Sequence, residues 1–221
     1  MTKLLQSIAA ACVAATLPLA ASAQTYEFNF SGPGVSGLIS FNYGPATDAK
    51  YSQAFEITSI SGYFSDSNNG LNIVNAPIVA LVPVTHDQPE PTNLLAPDNF
   101  SRFQVATGLE HGVASYDNLY WPGGSPQTAS DYPVQGGALD IYGVFFSIGD
   151  GRLVNVWSNG VFGPTGPADY GVSVVTSAAA LDYVQGGVNV AAVPEPSTYG
   201  LMMAGLGILG FVARRRESLR P

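Results

Sequence analysis

The sequence predicts an all-β domain over residues 24–192, an antiparallel β-sandwich or jelly roll, with one apolar helix in each terminal segment. Most segments in this range alternate apolar and polar residues with a period of two, or are short, β-branched and aromatic. No window there has the 3.6-residue period of a helix. The 25 Gly and 16 Pro fall largely between these short segments, where turns are needed. A single-layer barrel fits the same pattern and is the alternative.

The first predicted strands alternate clearly. Residues 26–30 and 35–43 place every second apolar side chain on one face. Residues 55–64 change parity part-way, and this slip predicts a β-bulge around Thr58 and Ser59. Residues 78–82 are continuously apolar, which is typical of a strand covered on both faces.

The later strands are bounded by turn residues. Residues 141–148 and 153–157 flank Gly149-Asp150-Gly151, which predicts a hairpin with a type I′ turn because Asp-Gly accepts positive φ angles. Asn159-Gly160 predicts a second turn of similar chemistry. Residues 171–176 and 184–190 complete the series.

Two longer features interrupt the strand pattern. Pro-rich connections occupy residues 85–98 and 122–137, where long loops carry either function or a simple insertion. Residues 131–137, Asp-Tyr-Pro-Val-Gln-Gly-Gly, are echoed by residues 182–187, Asp-Tyr-Val-Gln-Gly-Gly. One echo does not make a repeat array. It marks either two equivalent loop-to-strand corners or a coincidence in a Gly-rich sequence.

Charge and cysteine content limit the functions and the covalent or metal cross-links that the domain can have. Between residues 24 and 193 three basic residues stand against fourteen acidic ones, a net charge of −11. This balance excludes the electrostatic footprint of a nucleic-acid-binding protein. Cys12 is the single cysteine and precedes the domain, so the domain has no disulfide and no thiolate metal site.

The N-terminus has the organisation of a signal peptide over residues 1–23. Lys3 supplies the positive charge, residues 4–20 the apolar region, and Ala21-Ser22-Ala23 the small-residue cleavage site. Cleavage by signal peptidase between Ala23 and Gln24 is therefore predicted. A first transmembrane helix is the alternative.

The C-terminal segment, residues 193–221, has three parts in a fixed order. Pro194-Glu195-Pro196 is held extended, because each proline fixes φ and removes a backbone donor. Residues 199–213 carry no charge and predict a helix that enters the inner membrane, short for a hydrocarbon core of about 30 Å. The cluster Arg214, Arg215 and Arg216 then favours the cytoplasmic side. An ordinary tail anchor with a Pro-rich stalk is the alternative.

This order of tripeptide, Gly-rich apolar segment and terminal arginines resembles the PEP-CTERM sorting signal of Gram-negative bacteria. The resemblance implies that the chain is exported and is a substrate of an exosortase acting near Pro194, Glu195 and Pro196. It further implies an inner-membrane intermediate, followed by delivery to the cell surface or the extracellular matrix. Hosts of this system usually make exopolysaccharide, so a biofilm-associated role is expected.

Signals for catalysis and for cofactors are weak. His86 and His111 are the only histidines, and neither lies in a zinc-binding spacing. No serine-hydrolase elbow, phosphate-binding loop or dinucleotide fingerprint occurs, so we expect a non-enzymatic protein without cofactor or metal. Residues 66–70, Asp-Ser-Asn-Asn-Gly, fit either a calcium loop without its distal Glu or a polar turn.

Aromatic residues give the remaining functional signal. Tyr120 and Trp121 lie in Asp-Asn-Leu-Tyr-Trp-Pro, and Trp157 precedes Ser-Asn-Gly. An aromatic face beside an amide can stack on a sugar ring while the amide pairs with its hydroxyls. Residues 117–122 also resemble an element of other PEP-CTERM ectodomains. The three rings are therefore candidate glycan contacts of a lectin-like module, and lids over the core are the alternative.

Overall fold

The computed structural model describes residues 24–85, 93–161 and 166–193, together with Met203, 205–207 and Leu209. Eleven strands occupy most of this range. Their bounds are Gln24–Ser31 (β1), Val35–Thr47 (β2), Phe55–Asp66 (β3), Ile73–Leu81 (β4), Ser101–Gln104 (β5), Val113–Tyr116 (β6), Leu119–Tyr120 (β7), Val144–Ile148 (β8), Leu153–Val161 (β9), Ala168–Val175 (β10) and Ala180–Ala192 (β11). A single 3₁₀ turn, Asn68–Gly70, lies within the described residues.

Eight of these strands form one antiparallel sheet that closes on itself. Strands β1 to β4 pair in chain order, β1 with β2, β2 with β3 and β3 with β4. Strands β8 to β11 pair in chain order in the same way. The β4–β8 pair joins the two runs, and the β1–β11 pair closes the ring. The prediction of a sandwich is thus corrected to a barrel-like sheet. Short alternating strands serve both architectures, and the sequence pattern does not reveal whether the end strands meet.

The interior of the ring is one hydrophobic core to which all eight strands contribute. Side chains with even numbers in β1, β8, β9 and β10 point inward, as the period of two requires. Phe28 of β1, Phe64 of β3 and Phe146 of β8 are almost fully buried there. Burial of such side chains supplies the main stabilisation of a domain without disulfides.

A long insertion, residues 82–143, connects β4 to β8, and its described parts lie mainly on the outside of the ring. It contains the β5–β6 hairpin and the short strand β7, which pairs with β3. The hairpin covers the outer face of β8 and β10, where Phe145 and Val175 pack with Tyr116 and Val105 in a second hydrophobic cluster. Three strands, β8 to β10, are therefore buried on both faces along most of their length.

Two local predictions are confirmed. Asn42 pairs with Ser59 and Tyr43 with Ile57, so Thr58 is the extra residue of the predicted bulge. Strands β8 and β9 form the predicted hairpin around Gly149-Asp150-Gly151. Its turn differs from the type I′ prediction because only Gly151, at φ +82°, is left-handed. A three-residue loop of this kind needs positive φ at one position rather than two.

Two other local predictions are corrected. Asn159 and Gly160 lie inside β9 at a bulge opposite Asp169 and Tyr170, and Asn159 is buried. The Asn-Gly pair supplies the positive φ of this bulge at Gly160 instead of a chain reversal. Residues 78–82 are covered on one face only, because the side chain of Val79 is 61% exposed. Ala80 is exposed as well, because a bulge at Val79 shifts the register: Ile78 pairs with Ile148 and Ala80 with Ser147.

The two terminal segments leave the ring at the same end. Phe28 pairs with Ala192, and the backbone N–H of Val193 donates to the carbonyl of Glu27 at 2.8 Å. Because β1 and β11 are antiparallel, the start of β1 at Gln24 and the end of β11 lie close together. In the described part of the chain, no helix has the length and apolar character needed to cross a membrane. The predicted signal helix lies outside the described residues, and of residues 199–213 only the five named above are described.

Candidate functional site

A groove opens between the outer face of β9, β10 and β11 and the insertion. Its cavity volume is about 320 Å³. Asn155, Ser173 and Tyr183 stand side by side on the three strands, because Ser173 pairs with both of the others. Odd-numbered residues of these strands face outward, since their even-numbered neighbours fill the core. The wall formed by the insertion includes Tyr132 and Tyr142. We refer to this cavity as the groove.

Trp157 and Tyr183 form the aromatic side of the groove. Their rings stack with centroids 5.4 Å apart at 27°. The indole lies across Gly171, which pairs directly with Trp157, and a Cβ at this glycine would meet the indole ring at 2.2 Å. Glycine at this position therefore permits the indole to lie flat on β10. Trp157 is almost buried, whereas Tyr183 is 52% exposed and presents its free face to solvent.

Asn159 fixes the polar atoms at this end of the groove. Its Oδ1 accepts hydrogen bonds from Trp157 Nε1 at 3.0 Å and from the Tyr132 hydroxyl at 3.4 Å. Its Nδ2 donates to Asp169 Oδ2 at 3.1 Å and to the carbonyl of Gln185. The β9 bulge turns Asn159 toward these partners. One buried amide thus joins both walls of the groove.

The floor of the groove offers unpartnered hydrogen-bond acceptors. Asn155 is 5% exposed, and its Nδ2 donates to the carbonyl of Ser115 at 3.0 Å. Its Oδ1 has no partner among the described residues, and the same holds for Oδ1 of Asn93. A buried acceptor without a donor is costly, so a ligand group with a hydroxyl or amine hydrogen would be stabilised here.

The rim of the groove is acidic on the side of the insertion. Glu110 and Asp131 are exposed there, next to His111. The three basic residues of the described chain lie elsewhere, and none of them lines the groove. The groove therefore combines an aromatic side, amide groups and a negative rim.

A buried pair of carboxyl groups, Asp117 and Asp140, holds the insertion wall in place. Asp140 Oδ1 accepts the backbone N–H groups of Tyr142 and Gly143, and Asp117 Oδ1 accepts that of Leu119. Burial, together with the neighbouring carboxylate of Asp140, raises the pKa of Asp117 well above its usual value. Burial also raises the pKa of Asp140. A proton retained on Asp117 lets the two side chains hydrogen-bond to each other, and we call them the acid pair.

The structure separates the three aromatic residues that the sequence suggested as glycan contacts. Trp157 lines the groove. Tyr120 is 5% exposed and closes one end of the ring, with its ring centroid 4.7 Å from that of Tyr26 and 4.8 Å from that of Tyr43. Trp121 is 1% exposed and packs against Tyr51. The last two are corrected to core positions, because the insertion folds back over the ring and buries them.

Sequence reasoning did not find Tyr183, Tyr132 or Asn155, but a signal for two of them was present. The echoed segments place Tyr132 and Tyr183 at matching positions, and both tyrosines line the groove. The carbonyl of Gln135 accepts the N–H of Val161, while that of Gln185 accepts Asn159. The two echoes thus bind to opposite sides of the β9 bulge. Asn155 has no sequence signal, because its role follows from its neighbours across the sheet.

The polar loop at residues 66–70 is a turn whose side chains hydrogen-bond within the turn and to Asp182, while Oδ2 of Asp66 is buried without a partner among the described residues. Asp66 Oδ1 accepts the N–H of Asn68, and the amides of Asn68 and Asn69 donate to Asp182. Burial, together with Asp182, raises the pKa of Asp66 to about 6. Among the described residues, no three His, Cys, Asp or Glu side chains are grouped as metal ligands. His86 lies outside the described residues.

The sorting segment begins where the ring ends. Pro194, Glu195 and Pro196, the arginines 214–216, and Ala21 and Ala23 of the cleavage site all lie outside the described residues, so their roles stay predictions. Val193, directly before them, is still hydrogen-bonded to β1. Tyr183 precedes Ala192 by nine residues of the same strand, roughly 30 Å at about 3.3 Å per residue. The groove therefore lies far from the point where the sorting segment leaves the domain.

Comparison with known proteins identifies the C-terminal segment. Residues 192–216 match the family model of the PEP-CTERM protein-sorting motif. The chain carries a PEP-CTERM sorting motif. It is therefore an exported protein that an exosortase sorts to the cell surface, as the tail resemblance predicted. The match does not extend into the domain. Neither the comparison with curated proteins nor that with solved structures finds a match.

Proposed function

We propose that this PEP-CTERM protein is a non-enzymatic component of the cell surface or matrix that binds saccharide chains in its groove. In this proposal signal peptidase removes residues 1–23, residues 199–213 hold an inner-membrane intermediate, and exosortase processing at the Pro-Glu-Pro releases the domain. The released domain then binds exopolysaccharide of the matrix or biofilm.

The observation that carries the binding role is the stacked pair of Trp157 and Tyr183 above the unpartnered Oδ1 of Asn155. The free face of Tyr183 matches the flat apolar face of a sugar ring. Amide and hydroxyl groups around it match the ring hydroxyls, and a cavity of about 320 Å³ accommodates one or two sugar units. A binding role rather than catalysis is supported by the acid pair, whose Oδ1 atoms are engaged by backbone N–H groups of the insertion.

The binding role is tested by a pair of tyrosine substitutions in the exported chain purified in mild detergent. Tyr183→Ala removes the exposed ring of the groove. Tyr63→Ala removes a ring of similar exposure, 40%, from β3 on the other half of the ring, and serves as the matched control. We expect Tyr183→Ala to weaken binding on a glycan array at least tenfold, and Tyr63→Ala to leave it unchanged. Equal binding by both variants would refute the groove as the site.

The sorting role is tested by replacing Pro194, Glu195 and Pro196 with alanine. Full-length protein should then accumulate in the inner membrane, as measured by fractionation and mass spectrometry. The chain supplies its own control, because residues 89–91 are also Pro-Glu-Pro but are not followed by an apolar segment. Alanine at 89–91 should leave processing normal. Release of the 194–196 variant at the normal rate would contradict the proposal.

The non-enzymatic role is tested by incubating the same protein with any glycan that it binds. Chain length should stay constant in mass spectrometry. Cleavage that disappears in the variant Glu110→Gln or Asp131→Asn, with the fold intact, would show that the rim carboxylates are catalytic and would reject this part of the proposal.

A further inference from the structure

We propose that the groove selects its ligand by charge: it accepts neutral saccharides and saccharides with a free amine, and it excludes chains that carry carboxylate, phosphate or sulfate. This inference rests on the proposed saccharide-binding function. Three independent features of the described residues support it, namely the rim, the positions of the cations and the floor.

The rim carries two carboxylates with His111 beside them, and no Lys or Arg among the described residues lines it. Glu110 and Asp131 are both exposed beside the cavity, while the facing residues Tyr183 and Gln185 are uncharged. An anionic sugar residue bound in this cavity, which the same carboxylates line, would be repelled by them. A protonated amine at the same place would be attracted to them.

The Lys and Arg side chains of the described residues interact with groups outside the groove. Lys50 Nζ donates to the carbonyls of Leu94 and Ala96 at 2.7 and 3.2 Å. Arg152 pairs with Asp150 in the β8–β9 turn. Arg102 lies in the β5–β6 hairpin with its guanidinium over the ring of Phe100, 5.9 Å from its centroid. Proteins that recognise carboxylate or phosphate groups use such side chains, and this groove has none.

The floor of the groove favours a ligand group that donates a hydrogen bond over one that accepts it. Oδ1 of Asn155 is buried and has no partner among the described residues, although Nδ2 of the same side chain is occupied by the carbonyl of Ser115. A sugar hydroxyl or an ammonium group supplies the missing hydrogen. A carboxylate or sulfate oxygen would place an acceptor against an acceptor. Rim and floor therefore select the same ligand class by different means.

The inference is tested with three oligosaccharides of equal length and linkage: β-1,4-linked glucose, glucosamine and glucuronate. Binding to the exported chain is measured by titration calorimetry at low and at high salt. We expect the glucose and glucosamine chains to bind, and the glucuronate chain to bind on the order of tenfold more weakly at low salt. High salt should narrow this difference, because it screens the rim.

A double variant isolates the rim. Glu110→Gln with Asp131→Asn should raise glucuronate affinity by several-fold relative to glucose affinity, so that the ratio of the two affinities approaches one. The charge-matched control is Glu27→Gln with Glu56→Gln on β1 and β3, which should change neither. Glucuronate binding as tight as glucose binding at low salt would overturn the selection by charge and leave the saccharide-binding function intact. Failure of all three oligosaccharides to bind would overturn both.

Discussion

The two halves of the closed sheet share one interior but differ on the outside. On β1 to β3 the outer face is open to solvent and carries a ladder of polar side chains. Thr25 Oγ1 donates to Asn42 Oδ1 at 2.7 Å, and Asn42 Nδ2 donates to Ser59 Oγ at 2.9 Å. On β8 and β10 the outer face carries Phe145 and Val175, both fully buried beneath the insertion.

This difference shows how the groove arises. A strand pair covered by the insertion can keep apolar residues on both faces, whereas an uncovered pair must turn polar on the outside. The cover extends over β8 and most of β9 and β10 and is incomplete at β11, where Tyr183 is exposed. The groove lies at this incomplete edge, where the nearly buried ring of Trp157 supports the exposed ring of Tyr183.

The largest expected effect tests the comparison itself. Phe145→Ala removes an outward-facing aromatic ring beneath the insertion and should lower the free energy of unfolding by about 3–5 kcal/mol. Tyr63→Ala removes an outward-facing ring from the open half and should change it by no more than about 0.5 kcal/mol. Denaturant unfolding of both variants measures the two values. Similar costs would mean that the insertion does not protect the covered half.

A smaller effect tests the edge where the groove opens. Gly171→Ala places a Cβ against the indole of Trp157, and displacement of the ring should cost about 1–3 kcal/mol. Gly123→Ala meets no atom within 4 Å and should be nearly neutral. The chain has only two tryptophans, so the shift in fluorescence emission reports on Trp157. Unchanged emission and stability in the Gly171 variant would contradict the observed packing.

A third effect, spread over pH, tests how the insertion is held. Because the folded state raises the pKa of Asp117, the unfolded chain loses its proton first as pH increases. Stability should therefore be greatest in acid and fall by up to ~1.4 kcal/mol per pH unit above the ordinary pKa of about 4. Asp117→Asn keeps a donor toward Asp140 and should remove this fall.

Asp150 provides a control of opposite sign. Its hydrogen bond with Arg152 lowers the pKa of Asp150, so the stability that it adds is present above the ordinary pKa and is lost as pH decreases. Asp150→Asn should therefore lower stability at neutral pH, and this difference should disappear in acid. A pH profile of unfolding that is identical in the wild type and the Asp117 variant would show that the acid pair does not retain a proton.

Much of the fold could be predicted from local pattern. The bulge at Thr58 follows from a change of parity, and the β8–β9 hairpin from Gly-Asp-Gly. Both depend on residues close together in the chain. The closure of the ring could not be predicted in this way. It depends on β1 meeting β11, and pairing between the two ends of a domain leaves no trace in the period of either strand.

The site was predicted less well for a related reason. Trp157 and Trp121 have similar flanking residues, an aromatic ring beside Asn or Asp in a turn-rich segment. One lines the groove, while the other is buried against Tyr51. Which of them reaches solvent depends on where the insertion crosses the ring. The echo of Tyr132 and Tyr183 was visible in the sequence, but its meaning required the β9 bulge that brings both segments together.

By itself, the sequence determined that the chain is built from strands and that it ends in a sorting motif, because side-chain period and the order of the Pro-Glu-Pro, apolar and basic residues are properties of neighbouring positions. Tertiary structure decided that the strands close into a ring, that the insertion covers one half of it, and that Trp157, Tyr183 and Asn155 meet at the edge of this cover. These contacts join residues far apart in the chain, so only the packing of the whole domain brings them together.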